Sequence, residues 1–429
     1  MTPFDISVLF FLQMACILAV CRVFGLLFAW VGQSQVVSEM IAGVFMGPSV
    51  MGALFPGASA WLFPPASKPV LFSVCQIGLA LYMFIIGTEL DIGLIRSRLR
   101  GAAAVSLAGI AVPFTLGALL AWQTVGDTAL YPARTTVIEA VLFTGAAMSI
   151  TAFPMLARII HERGLGSTAL GTLALAAGAM DDAAAWCILA VVLASFSGDA
   201  TIAMKAIGGG IAFALVCVFV LRPLMRPLAA RVEREGTMSQ GMLVFVLMLA
   251  MLGAWFTDAI QIYAVFGAFL TGVAMPRGRF TAELQRQVQP LTTAFLLPVF
   301  FVYSGLNTRI GLVDTPALWG LAAVVLVAAT VGKGVACYFA ARWHGQTRRE
   351  AAAIGTLMNA RGLMELIILN IGLQRGLIAP ALFAIMVIMA IVTTLMATPV
   401  FEWVYGRHRR AEAESEGRGA ATDLPRIAA

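Results

Sequence analysis

The sequence predicts an all-α membrane protein with about thirteen transmembrane helices, arranged as two inverted six-helix repeats. Of the 429 residues, 60% are hydrophobic and only 12% are charged, which is about half the charged fraction of a typical soluble domain. Apolar segments of about 20 residues, the length that crosses a bilayer, recur along the whole chain. Two pairs of short motifs also recur in the same order in the two halves. These observations together are typical of a polytopic transporter.

The predicted spans follow one another with short connections, so residues 1–410 are expected to form one transmembrane domain. They cover residues 6–31, 35–54, 70–94, 101–123, 138–160, 168–196, 200–221, 238–257, 261–276, 288–308, 315–341, 350–373 and 378–404. The N-terminus has no basic segment before its apolar run and no small-residue cleavage site, so the first span is expected to be retained. Residues 411–429 are small, polar and charged, which predicts a disordered cytoplasmic tail.

The distribution of basic residues predicts how the helices are oriented, because cytoplasmic loops are enriched in Lys and Arg. One side carries Arg96, Arg98, Arg100, Arg158, Arg163, Arg222, Arg226, Arg231, Arg234, Arg277, Arg279, Arg286, Arg342, Arg348, Arg349, Arg407, Arg409 and Arg410. The other side carries Lys68, Arg134, Arg309 and Arg375, with Lys205 near a helix end. This predicts an inner or plasma membrane protein with its N-terminus outside and its C-terminus in the cytoplasm. The net charge of +6 is therefore expected to orient helices, and no nucleic-acid partner is expected.

Two motif pairs indicate the internal repeat. Gly43–Pro48 in span 2 resembles Gly267–Gly272 in span 9, and Phe84–Ile92 at the end of span 3 resembles Phe301–Ile310 at the end of span 10. Six spans, a linker span 7 and six further spans place the two halves in opposite orientations, as in many secondary transporters.

The same repeat pairs spans 5 and 12, and both are interrupted. Span 5 contains Ser149, Thr151 and then Pro154, which removes a helical N–H group. The centre of span 12 contains two glycines together with Asn359, Arg361 and Glu365. Unwound backbone at membrane depth is tolerated where it lines a cavity, and matched interruptions in two halves predict a substrate site between half-helix ends.

The strongest functional signal is a pair of adjacent acids, Asp181 and Asp182, near the middle of span 6. Each charge there costs about 2.5–3.5 kcal/mol on insertion scales, so an ionisable residue at this depth is a candidate functional site. Lys333 in span 11 is the expected partner of one acid, and the other acid is then left to bind a proton or a cation. A purely structural ion pair that locks two helices is the alternative.

The remaining polar residues of the membrane region leave other readings open. Arg361 and Glu365 are four residues apart, so they can neutralise each other on one helix face. A cation channel could use the same acidic cavity, and a transporter of an organic anion could use Arg361 as its ligand. No phosphate-binding loop and no nucleophile–histidine arrangement is present in the sequence, so an ATP-driven pump or an enzyme is disfavoured and no cofactor is expected.

Several of these stretches resemble the monovalent cation:proton antiporter-2 family, over about residues 6–405. The stretches are Glu39–Pro48, Phe84–Asp91, Ser149–Arg158, Asp181–Asp182, Leu297–Gly305 and Asn359–Glu365. The resemblance implies a Na⁺/H⁺ antiporter fold in which the interrupted spans 5 and 12 cross. It also implies a homodimer, with a dimer domain of spans 1–3 and 8–10 and a mobile core domain of spans 4–6 and 11–13.

The resemblance further implies roles for the site residues. Asp182 would be the carboxylate that binds the monovalent cation or the proton, Asp181 would modulate it, and Lys333 would pair with Asp181. Ser149 and Thr151 would add oxygen ligands, and Asn359, Arg361 and Glu365 would support the core. Many relatives have Asn-Asp where this chain has Asp-Asp, which leaves the ion open between Na⁺, the favoured cation, and K⁺, the alternative. Two acids with one lysine predict that more protons than cations move per cycle, which would make transport electrogenic.

Overall fold

The computed structural model of the chain is helical in every predicted span. It describes residues 2–30, 33, 35–89, 92–166, 168–197, 200–260, 262, 264–306, 313–362, 365, 368–369, 372–373 and 375–406. Eight helical stretches among these residues are long and apolar enough to cross a membrane, and further apolar helices are shorter. The prediction of an all-α polytopic membrane protein is therefore confirmed. The predicted tail, residues 411–429, lies outside the described residues.

The helices of the first half correspond to predicted spans 1–6. They are α1 (Pro3–Ala29), α2 (Gln35–Met46), α3 (Met51–Leu54), α4 (Pro56–Leu62), α5 (Lys68–Glu89), α6 (Ile92–Thr124), α7 (Val137–Ser149), α8 (Phe153–Glu162) and α9 (Ala169–Ser197). The short helices α3 and α4, together with a 3₁₀ turn at Pro65–Ser67, connect spans 2 and 3.

The helices of the second half correspond to spans 7–13. They are α10 (Ala200–Val216), α11 (Arg222–Glu235), α12 (Gln240–Ala259), α13 (Ala264–Ala274), α14 (Arg279–Leu291), α15 (Leu297–Leu306), α16 (Pro316–Trp343), α17 (Arg348–Leu357) and α18 (Pro380–Phe401). Single π-helical turns join α10 to α11 and α14 to α15. The helices of three predicted spans extend well beyond the predicted boundaries: α6 of span 4 begins at Ile92, span 7 continues as helix to Glu235, and the helix of span 10 begins at Arg279.

The two interrupted spans begin in the same way, which supports the internal repeat. Thr136 and Glu139 form a capping box at the start of α7, and Thr347 and Glu350 form one at the start of α17. In each box the backbone N–H of the threonine donates to the glutamate carboxylate, at 2.8 and 2.9 Å. The box satisfies N–H groups that a helix start leaves unpaired.

Helix packing follows the repeat as well. Helix α2 packs on α15, and its counterpart α13 packs on α5. Both contacts depend on glycine: a Cβ atom on Gly43 would lie 2.8 Å from Val302 Cα, and one on Gly87 would lie 3.0 Å from Gly272 Cα. Side chains are excluded at these positions, so the helix backbones touch, as is common between membrane helices.

The described contacts divide the helices into two sets. Helices α6, α7, α8, α9, α16, α17 and α18 pack around the contact between α6 and α16, whereas α1, α2, α5, α12, α13 and α15 pack on one another. Helix α8 also contacts α2 and α5, so it borders both sets. The first set contains both interrupted spans and the acidic pair. Its movement as a core domain and dimerisation through the second set stay predictions.

Candidate ion-binding site

The first interruption separates α7 from α8. Helix α7 ends at Ser149, and Ile150 and Ala152 have extended backbone conformations. Pro154 lies in the first turn of α8, where its missing N–H costs nothing because that position has no intrahelical partner. The break therefore precedes the proline, and Pro154 starts the second half-helix.

The second interruption follows α17 and lies against the first. The backbone from Met358 to Gly362 is not helical, and the N–H of Ala152 donates to the carbonyl of Ala360 at 3.0 Å. The hydroxyl of Thr151 also reaches the carbonyl of Met358, at 3.1 Å. The two broken helices thus meet at their interruptions, as the resemblance implied.

Side chains satisfy the carbonyl groups that are left unpaired at the end of α7. The hydroxyl of Ser149 donates to the carbonyl of Ala146, at 2.8 Å. The guanidinium of Arg361 donates to the carbonyls of Ala147 and Met148, at 3.3 and 2.7 Å. The ammonium of Lys333 donates to the carbonyl of Ser149. A helix C-terminus carries partial negative charge, so two buried cations at this end stabilise the break.

Asp181 is buried and receives hydrogen bonds from three different elements. Its Oδ2 accepts from Lys333 Nζ at 2.9 Å and from Thr151 Oγ1 at 2.6 Å. Its Oδ1 accepts from Ser106 Oγ, on α6, at 2.8 Å. The residues alone left open which acid pairs with the lysine, the family resemblance implied Asp181, and the structure pairs Asp181 with Lys333.

Asp182, the next residue, has a different environment. Its side chain is buried, with 4% of the residue exposed, and its Oδ1 has no hydrogen-bond partner among the described residues. It also forms no ion pair with any basic side chain that the structure describes. A buried carboxylate oxygen without a donor is costly unless a proton or a cation satisfies it.

Arg361 and Glu365 form the predicted pair on one helix face. Arg361 Nη1 lies 3.4 Å from Glu365 Oε1, and both side chains are almost completely buried. The backbone of Arg361 is also fixed by the hydroxyl of Thr394, which donates to its carbonyl at 2.7 Å. The terminal nitrogens of Arg361 therefore contact Glu365 and the end of α7, which disfavours Arg361 as a ligand for an organic anion.

Three further predicted residues have structural contacts. Asn359 donates through Nδ2 to the carbonyls of Thr330 and Gly355, at 3.1 and 3.3 Å, and its Oδ1 is buried without a described partner. The hydroxyl of Ser149 donates within its own helix, and that of Thr151 is engaged by Asp181. Their role as cation ligands stays a prediction.

Sequence reasoning missed Ser106. It is the only hydroxyl residue between Gly101 and Val112, but serine in a membrane helix commonly bonds to its own backbone. Its meeting with Asp181 depends on how α6 packs against α9, which no short motif reveals.

A second polar cluster lies where α8 ends, away from the acidic pair. Glu162 accepts from the backbone N–H of Gln35 in α2 at 3.1 Å. His161 Nδ1 lies 3.5 Å from Glu89 Oε2 at the end of α5, and its Nε2 lies 3.0 Å from Gln289 in α14. The hydrogen bond and the negative charge of Glu89 raise the pKa of His161. These contacts join α8 to three helices outside the set that contains the acids.

Comparison with known proteins gives one consistent result. A family model described as sodium/hydrogen exchanger, transmembrane, matches residues 15–405. The Na⁺/H⁺ antiporter NhaS4 of Synechocystis sp. is 40% identical over 391 residues, which are 91% of this chain and 95% of that protein. Cation/H⁺ antiporter 18 of Arabidopsis thaliana is 35% identical and is matched over 98% of this chain. The chain spans about half the length of that plant protein, 52%.

A solved structure shares the fold. The sodium proton antiporter MjNhaP1 from Methanocaldococcus jannaschii superposes with a TM-score of 0.65 over the full length of both chains, at 13% sequence identity. At this identity the similarity supports the helical architecture and nothing about individual residues.

Replacing Arg361 with methionine is expected to cost about 3 kcal/mol or more of stability, because it leaves the charge of Glu365 buried and unpaired. Thermal unfolding of the purified protein measures this loss. The matched control is Arg231→Met, which breaks an i,i+4 pair with Glu235 that is about half exposed and should leave the melting temperature nearly unchanged. Equal losses in the two variants would contradict a structural role for the buried pair.

The contact between His161 and Glu89 is expected to stabilise the protein only at acidic and neutral pH. Because the pKa of His161 is raised in the folded state, its contribution is full below its unfolded value of about 6.5 and is lost as the pH rises through the folded value. His161→Gln should therefore lower the melting temperature at about pH 5.5 and have little effect at about pH 9. His344→Gln, which changes a ring that hydrogen-bonds to the carbonyl of Ala340 in its own helix, is the control. A pH-independent effect of His161→Gln would contradict this.

Proposed function

The chain belongs to the sodium/hydrogen exchanger family, and from this premise we propose that it exchanges a monovalent cation for protons across a membrane. The observation that carries the proposal is Asp182, a buried carboxylate next to a second acid whose charge is already neutralised. The three charged groups Asp181, Asp182 and Lys333 sum to one negative charge, which one cation or one proton would balance.

Competition for Asp182 supplies the coupling. A carboxylate that has lost its hydration holds either a proton or a cation, because either one removes the cost of the buried charge. In this proposal only a loaded site crosses the barrier, so the core set of helices carries a cation in one direction and protons in the other. The two acids titrate as a pair, so the pH at which exchange begins is a property of both.

Asp181 and Lys333 are proposed to make the cycle electrogenic. If Lys333 releases Asp181 when protons bind, the pair carries more protons than cations in each cycle. The membrane potential then drives the exchange, at about 2.3 kcal/mol for each net charge and 100 mV. The direct ion pair at 2.9 Å supports this coupling between the lysine and the acid.

Na⁺ is the favoured cation, with K⁺ as the alternative. Carboxylate, carbonyl and hydroxyl oxygens meet at the interruptions, and such hard ligands suit alkali cations better than soft metals. The name of the Synechocystis relative, a Na⁺/H⁺ antiporter, supports Na⁺. Ser149 and Thr151 are proposed as additional oxygen ligands, and Asn359, Arg361 and Glu365 as supports of the crossing.

The proposed setting is an inner or plasma membrane, with the N-terminus outside. The distribution of arginines supports this orientation. A homodimer is proposed to form through the helices of spans 1–3 and 8–10, which would leave the acidic core free to move within each protomer.

Proton flux in sealed proteoliposomes containing a pH dye tests the proposal. Addition of NaCl, KCl or LiCl should trigger proton movement in wild type, and Asp182→Asn should reduce it to the level of empty liposomes. Asp127→Asn, which changes an exposed acid in the loop after α6, should leave the flux unchanged. Absence of a response to any cation in wild type, or an unchanged response in Asp182→Asn, would overturn the proposal. Cation flux without proton counterflow would instead indicate a channel.

A further inference from the structure

We propose that Ser106 is a positioning residue that gives the two acids their separate roles. Its hydroxyl holds Asp181 in the ion pair with Lys333 and thereby leaves Asp182 as the carboxylate that is open to a cation. The inference rests on the proposed antiport and adds a residue from α6 to the same site.

The donors around Asp181 show why Ser106 matters. Lys333 and Thr151 both donate to Oδ2, at 2.9 and 2.6 Å, whereas Ser106 donates to Oδ1, at 2.8 Å. Ser106 is buried, and no other described donor contacts this oxygen. Without the hydroxyl, Asp181 Oδ1 would have no donor among the described residues, like Oδ1 of Asp182. Among the described contacts, those of Oδ2 with Lys333 and Thr151 would then be what still distinguishes Asp181 from Asp182.

The direction of the Ser106 hydroxyl is unusual for its helix. Thr115 and Thr124, also on α6, donate to carbonyls of their own helix one turn earlier, at 2.8 and 2.7 Å. This is the common arrangement for hydroxyl side chains in helices. Ser106 instead donates across the interface to α9, so its hydrogen bond contributes to the site rather than to α6 itself.

The same face of α6 accommodates the lysine. A Cβ atom on Gly109, three residues after Ser106, would lie 2.8 Å from Cys337 Sγ and 3.7 Å from Lys333 Cε. The absence of a side chain therefore lets α16 approach closely enough for Lys333 to reach Asp181. Ser106 and Gly109 thus act on the two members of the ion pair from one helix face.

Loss of the Ser106 hydroxyl has a defined consequence for exchange. The ionised pair of acids loses one stabilising donor, so it retains a proton to higher pH. Exchange should therefore begin at a pH about one unit higher, and the cation should compete less well with protons. A residue that merely packs between helices would lower the amount of folded protein without moving the pH profile.

The test is the pH profile of sodium-driven proton flux for wild type, Ser106→Ala and Thr115→Ala in proteoliposomes. We expect Ser106→Ala to move the midpoint to higher pH by about one unit, and Thr115→Ala to keep the wild-type midpoint. An unmoved midpoint in Ser106→Ala would overturn the inference while leaving the antiport itself intact. Absence of exchange in wild type would instead mark failure of the proposed function.

A second pair of variants keeps the inference testable if Ser106→Ala fails to fold. Ser106→Thr and Ser106→Val match each other in shape and differ only in the hydroxyl group. The inference predicts that Ser106→Thr keeps the wild-type midpoint and that Ser106→Val shifts it or loses exchange. If the two variants behave alike, packing and not the hydrogen bond explains the residue, and the inference is overturned.

Discussion

The ion pair between Asp181 and Lys333 is the interaction on which the rest of the site depends. Two adjacent carboxylates inside a membrane repel each other and each lacks the hydration that water would give it. Lys333, Thr151 and Ser106 stabilise one of them, and nothing described stabilises Oδ1 of the other. In the proposed antiport, this asymmetry between neighbouring residues would allow one acid to stabilise the structure while the other exchanges its ligand.

The broken helices make that asymmetry possible. An unbroken α7 would hide the carbonyls at residues 147–149 inside its own hydrogen bonds, whereas the break presents them to Arg361 and Lys333. Lys333 thus contacts both the C-terminal end of α7 and Asp181. A rearrangement of Asp181 would therefore also change the contacts at the point where the two broken helices meet. The glycine contacts of α2 with α15 and of α5 with α13 form a closely packed frame beside this polar centre.

Much of this arrangement could be predicted from the sequence because membrane burial makes polar residues conspicuous. The apolar surroundings make it easy to recognise Asp181, Asp182, Lys333 and the interrupted spans. The order of the spans and repeated motifs along the chain then predicted the fold. The residues alone did not decide between Asp181 and Asp182 as the lysine's partner, since adjacent residues on one helix differ only in the direction of their side chains, and the pairing with Asp181 was predicted from the family resemblance. The continuation of span 7 beyond residue 221 was not predicted; it is α11, whose first turn contains Pro223, a position at which proline is tolerated.

Isothermal titration calorimetry tests the central claim that a cation and a proton compete for one carboxylate. NaCl is titrated into the purified protein near the pH at which exchange begins, in two buffers that differ in ionisation enthalpy. The difference between the two heats gives the number of protons released for each sodium ion bound. Competition at Asp182 predicts that sodium binding releases protons, up to about one per cation from Asp182 itself and more if Asp181 also gives up a proton, because the ligand must be deprotonated to bind. Sodium binding with no proton release would contradict the account.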